Sequence, residues 1–223
     1  MRTSGLLITT IISTALLAGC ATESHRTLAT EKVVTAGTQY NGPRAAVSIG
    51  KFANRSTFQQ GIFSDGVDRL GNQAQTILIT HLQQTGRFNV LDRANMNELK
   101  TEAGIKGQKQ NLKGASYVVT GDVTEFGRKT LGDRQLFGIL GRGKEQVAYA
   151  KVNLNIVNVQ TSEVVYSSLG AGEFSLSNRE VVGFGGTAGY DSTLNGKVLE
   201  LAIRDAVNNL VAGLESGAWR PAQ

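Results

Sequence analysis

The apolar positions change their spacing several times along the chain, and each change marks an element. Residues 21–43 are polar and Thr-rich, ending at Gly42-Pro43, which reads as a tether with no face to bury. Ala45-Ala46-Val47-Ser48-Ile49 predicts a short strand, and Gly50 to Asp65 a loop holding Phe52, Phe58, Ile62 and Phe63 among polar residues. Val67, Leu70, Ala74, Ile77, Leu78, His81 and Leu82 then recur at three- and four-residue steps. That spacing predicts a helix with one apolar face, capped by Ser64 or Asp65 and stopped at Gly86, a residue that tolerates left-handed backbone. Phe88–Leu91 predicts a strand, Asn95–Ala103 a second helix, and Gly104–Gly114 a polar connection.

From Tyr117 the spacing becomes two. Residues 117–130 and 146–159 predict long extended arms joined by the Gly-rich stretch around Leu136–Gly141. In the second arm Ala148, Ala150, Val152, Leu154 and Ile156 share one face, while Tyr149, Lys151, Asn153 and Asn155 share the other. A turn at Gln160-Thr161-Ser162 leads to a second predicted hairpin, Val164–Leu176 with Val181–Tyr190, whose tip lies near Ser177–Glu180. Its rising arm puts Tyr166, Ser168, Gly170, Gly172, Phe174 and Leu176 on one side. The last predicted element is a helix from Asn195 to Leu214, with Val198, Leu201, Ala202, Asp205, Ala206, Asn209 and Leu210 near one stripe. The sum is an α+β fold.

The first residues belong to another class. Arg2 precedes an apolar run from Leu6 to Leu17 that is short for a bilayer span and suits a secretory signal. Small residues at Ala18 and Gly19 let a peptidase approach the backbone before Cys20, which is the one cysteine of the chain. Leu17-Ala18-Gly19-Cys20 resembles a bacterial lipobox, which implies cleavage before Cys20 and acylation of its side chain and new N-terminus. Ala21 follows in place of Asp, and by resemblance to other bacterial lipoproteins this implies sorting to the outer membrane. The organisation expected is a signal peptide over 1–19, a lipidated tether over 20–44 and one domain over 45–223. No later segment reads as a membrane helix, so any further insertion must use strands that close into a barrel.

Composition narrows the chemistry. The net charge of +5 becomes +4 when Arg2 leaves with the signal, and the basic residues are scattered, which argues against a nucleic-acid surface. Acylated Cys20 leaves no thiol for a disulfide or a zinc set, and the two histidines, His25 and His81, fall in the tether and on an apolar helix face. Gly183-Phe184-Gly185-Gly186 lacks the Lys-Ser of a phosphate loop, and no carboxylate pair or GxSxG is present. The expectation is a non-enzyme with no cofactor beyond the covalent lipid, and no metal.

Several stretches in this order resemble the CsgG-like curli secretion channel family. They are Gln73–Leu82 followed by Gly86-Arg87-Phe88 and Leu91-Asp92-Arg93; Val118–Val123; Phe137-Gly138-Ile139 with Val152–Val164; and Gly189-Tyr190-Asp191. The resemblance covers about residues 45–215. It implies a lipid-anchored homo-oligomer, a nonameric ring in the outer membrane, with a periplasmic α/β domain in each subunit. Two long hairpins per subunit, about 121–156 and 164–190, would give four strands to a shared transmembrane β-barrel. Unfolded secreted polypeptide, a curli-like amyloid or adhesin subunit, would diffuse through it, with periplasmic and cell-surface accessory proteins as partners.

The residues permit this. A barrel strand needs about 9–11 residues, and each arm has that length. The arm 146–156 alternates as a lipid face and a lumen face should, although the C-terminal half of Val152–Val159 is expected to pack on the helices. Glu125 and Lys129 share a lumen side, which leaves Arg128 for a membrane edge, and Glu173 must face the lumen or an interface. The family's constriction loop corresponds to Gly50–Asp65. The resemblance nominates Phe63 first for the aromatic position, with Phe58 and Ile62 beside it, and Gln59 or Gln60 for the amide. Phe52 and Phe63 suit core anchors equally well. The alternative function is a non-pore periplasmic scaffold or binding lipoprotein of an envelope or polysaccharide-export assembly, with the hairpins folded on the domain surface.

Overall fold

The computed structural model describes residues 31–58, 66–134, 142–180 and 193–221, and of residues 130–134, 142–146, 176–180 and 193–194 the backbone alone. Residues 32–223 form one compact unit. Its elements are β1 (Ala45–Asn54), α1 (Arg69–Thr85), β2 (Phe88–Leu91), α2 (Met96–Ile105), β3 (Tyr117–Arg134), β4 (Arg142–Asn158), β5 (Val164–Glu180) and α3 (Thr193–Glu215). The five strands make one mixed sheet in the order β2-β1-β3-β4-β5. β1 runs parallel to β2 and β3, while the β3–β4 and β4–β5 pairs are antiparallel. The α+β expectation therefore holds. The falling arm of the expected second hairpin, Val181–Tyr190, lies outside the described residues.

β1 is longer than its alternation suggested. Its pairing with β3 shifts register between Ile49 and Phe52. The extra residue resets which side chains point inward, so Phe52 and Ala53 are buried as Val47 is. The first five residues of the expected loop are thus strand, and Phe52 is a core residue.

α1 begins later than expected. Its N-cap is Asp68, whose Oδ1 accepts the Gly71 N–H at 2.7 Å while Oδ2 accepts the Asn54 N–H at 2.7 Å. One carboxylate therefore satisfies the open end of the helix and the end of β1 together, and the cap is Asp68 in place of the expected Ser64 or Asp65, which lie outside the described residues. Val67 falls before the helix and is exposed. Leu70, Ala74, Leu78, His81 and Leu82 form the buried face, and Gly86 ends the helix at φ 66°.

α3 lies across the sheet with Val198, Leu199, Ala202, Ile203, Ala206, Val207, Leu210 and Val211 buried. It packs on β4, β5 and α1. The face Ala148, Ala150, Val152, Leu154 and Ile156 is buried in this same core. The C-terminal half of Val152–Val159 was expected to pack on the helices, as Ile156 does, and the earlier part to meet lipid, but in the protomer that earlier part is covered as well. Ala148, Ala150 and Val152 are covered as fully as Leu154 and Ile156, because α3 packs along β4.

Gly170 and Gly172 decide how closely α3 approaches. A Cβ on Gly170 would meet the Ala202 carbonyl oxygen and the Ala206 nitrogen, and one on Gly172 would meet Ala202 N at 2.8 Å. Helix backbone thus rests directly on strand backbone, and polar side chains of α3 complete the contact. Asp205 Oδ2 accepts the Ala171 N–H at 3.0 Å, Asn209 Nδ2 donates to the Leu169 carbonyl at 2.8 Å, and Ser168 Oγ donates to the Ala206 carbonyl at 2.9 Å. Asp205 and Asn209 take the place of the ladder partners that this stretch of β5 lacks among the described residues.

Candidate functional site

Three features bear on anchoring and passage: the seat of the tether, the base of the loop after β1, and the polar face of the long strands. The tether stretch is not free throughout its expected length. Val33 is buried, and the Val34 N–H donates to Asn208 Oδ1 at 3.0 Å. Thr35–Thr38 closes a turn around Gly37 (φ 76°). Arg87 fastens this strap. Its guanidinium is buried, with Nε and Nη2 donating to Glu215 Oε1 at 3.0 and 2.7 Å and Nη1 donating to Thr38 Oγ1 and the Thr85 carbonyl at 2.7 Å each. The Tyr40 ring lies 5.0 Å from the guanidinium carbon. A buried cation survives where its donors are matched in this way. The sequence carried no sign of this role, since Arg87 reads only as the residue after a helix-ending Gly. Cys20 lies outside the described residues.

The loop after β1 is tied down at its first residues. Asn54 Nδ2 donates to the Phe58 carbonyl at 2.8 Å, Asn54 Oδ1 accepts from Ser56 Oγ at 2.6 Å, and the Ser56 hydroxyl accepts the Phe58 N–H at 3.3 Å. The N–H groups of Arg55 and Ser56 donate to the Val123 carbonyl. Phe58 packs on Phe126 with ring centroids 4.6 Å apart, tilted by 54°. Of the constriction candidates, Phe58 is therefore committed to the domain in this protomer. Gln59, Gln60, Ile62 and Phe63 lie outside the described residues. The loop's base stands beside Phe126 of β3.

The polar face of β3–β5 rises from that level. Lys151 Nζ pairs with Glu125 Oε1 at 2.8 Å, both half-exposed, so the pair adds little stability and weakens with salt. Lys129, Tyr149, Lys151, Ala171 and Glu173 line an open cavity of about 500 Å³. Glu125 and Lys129 share this polar face, as their spacing predicted, and Glu173 lines the cavity with Lys129. A bulge between Val123 and Glu125 allows this pairing. Arg128 turns the other way and donates from Nε to Asn195 Oδ1 of α3 at 2.7 Å. The face mixes both signs of charge with hydroxyl and amide groups. No helix among the described residues is long and apolar enough to cross a membrane.

The family model described as "Curli production assembly/transport component CsgG" matches residues 28–222. The chain belongs to the CsgG family. A Neisseria meningitidis serogroup B protein named as a lipoprotein, NMB1126/NMB1164, is 66% identical over 221 residues, 99% of each chain. Among solved structures, the PelC dodecamer from Paraburkholderia phytofirmans matches at 18% identity and a TM-score of 0.35, over 76% of this chain and 94% of that one. Lipoprotein GNA1162 from Neisseria meningitidis matches at 16% identity and a TM-score of 0.33, over 76% of this chain and 99% of that one.

Proposed function

We propose that this CsgG-family chain is an envelope lipoprotein, held in the outer membrane by acylated Cys20, whose copies pool their long strands into an export conduit for unfolded polypeptide. The role is non-enzymatic and needs no cofactor. The observation that carries it is strand length. β3, β4 and β5 have 18, 17 and 17 residues, far beyond an ordinary strand of about 5–6. A three-stranded ribbon of that length has more strand than a domain core uses, and the excess suits a barrel wall, whose strands need about 9–11 residues. One chain cannot close such a ribbon, so the reading requires a homo-oligomer. The mixed-charge face suits a lumen past which an unfolded chain slides without being held. The relative named as a lipoprotein supports the anchor.

A second reading, a non-pore scaffold lipoprotein, is favoured by one observation. The apolar face from Ala148 to Ile156 is spent on α3 and unavailable to lipid. The two are separated by extracting the acylated protein in detergent, imaging it by negative stain and recording it in planar bilayers. Rings with a central hole that conduct ions are expected. Non-conducting particles of protomer size would establish the scaffold.

A further inference from the structure

α2 is unlike the other helices, since none of its residues is buried. It sits in an arm between β2 and β3 whose base is stiff. Asp92 accepts from the Ala94 N–H at 2.9 Å and from Asn95 Nδ2 at 2.6 Å, and Arg93 Nη2 donates to the Lys113 carbonyl at 2.6 Å. The arm therefore holds its apolar residues in water. Ile105 is 74% exposed and Leu112 53%. Its charge is one-sided beyond Glu102. From Ala103 to Gly121 the chain has Lys106, Lys109 and Lys113 and no carboxylate.

The opposite margin of the sheet has the complementary character. From Val152 to Asn178 the chain has Glu163 and Glu173 and no Lys or Arg. Both glutamates are exposed, and Leu169 between them is 68% exposed. In the order β2-β1-β3-β4-β5 the arm springs from one edge and this margin forms the other. The two edges stand roughly 19 Å apart at the usual strand spacing of about 4.8 Å. The lysine-bearing, apolar-tipped arm and the margin that carries Glu163, Leu169 and Glu173 thus lie at opposite edges of the sheet within a protomer. That placement makes a head-to-tail contact, which closes into a ring when the rotation permits.

We propose that the arm around α2 of one copy docks on the Glu163–Leu169–Glu173 margin of β5 in the next copy, with Ile105 and Leu112 covering Leu169 and the three lysines facing the glutamates. The partner is a second copy of this chain, and the inference rests on the ring reading above for its closure. Covering apolar side chains supplies the affinity, and the opposed charges set register and direction.

The test uses the full acylated protein in detergent, prepared as a mixture of isotopically light and heavy copies. A zero-length carbodiimide, which joins a lysine amine to a carboxylate, is applied and the linked peptides are read by mass. Linkages between light and heavy chains joining Lys106, Lys109 or Lys113 to Glu163 or Glu173 are expected. The triple variant Lys106→Glu, Lys109→Glu, Lys113→Glu should lower the ring fraction at least ten-fold. Mixing it with Glu163→Lys, Glu173→Lys protein should restore mixed oligomers. Rings that persist in the triple variant, or arm lysines linked only to other carboxylates or to another envelope protein, would overturn the contact. Conductance is recorded separately. Silent rings with the expected linkages refute export and leave the contact standing, conducting rings without them refute the contact alone, and a protein that never assembles refutes both.

Discussion

Arg87 and His81 show how single buried polar groups set limits on this protein. Arg87 joins the strap at Thr38 to the end of α3 at Glu215. Arg87→Met keeps the aliphatic stem and removes the donors, leaving the Thr85 carbonyl without its guanidinium partner. The expected cost is about 2 kcal/mol, with new protease cleavage confined to residues 32–40, read by thermal denaturation and limited proteolysis. Unchanged cleavage would show that the strap is held without the clamp. His81 is buried on α1, and its Nε2 has no partner among the described residues. Burial holds its imidazole below the usual 6.5, with Arg204 acting in the same direction, against the opposing pull of the Gln84 hydrogen bond and of Glu200. The folded protein therefore binds this proton less readily than the unfolded chain. Stability falls as pH drops below about 6.5 and levels off once the folded-state value is passed. Equilibrium unfolding between pH 7.5 and 5 should show this slope, and His81→Leu should flatten it. Sequence placed His81 on an apolar face. It could not place Arg87, because the strap and Glu215 are 49 and 128 residues away from it.

At the scale of elements, the contact between α3 and β5 depends on absent side chains. Gly170→Ala forces the helix backbone away from the strand and should cost about 3 kcal/mol by chemical denaturation. Gly104→Ala is the control. It lies in exposed α2 with open space around its Cβ position, and it should gain about 0.5 kcal/mol. Equal effects at the two positions would refute the close-packing account. The glycines of β5 were legible as a weak apolar side, but not as the floor for a helix. Asp205 and Asn209 stood on the predicted stripe of α3 as apparent interruptions, and they are the groups that bond the open edge of β5. The stop at Gly86 was readable because left-handed backbone favours one residue type. The start at Asp68 was not, because several capping residues stood nearby and only the end of β1 selects among them.

For the whole molecule, the proposed conduit narrows at the loop whose base is pinned by Asn54 and Phe58. Phe63→Ala should raise single-channel conductance in planar bilayers, and an unchanged value would remove Phe63 from the constriction while leaving the pore intact. Local pattern alone determined the α+β character, the three helices and the long two-residue alternation after Tyr117, because period and turn chemistry act over a few residues. Only tertiary structure decided what covers that alternation. A face of Ala148, Ala150, Val152, Leu154 and Ile156 meets lipid and helix equally well, since both remove apolar surface from water. The choice was made by α3, which Gly170 and Gly172 admit to within backbone contact of β5 and which spreads over the whole face. Hydrophobicity states that a surface must be buried, and only the packed chain states against what.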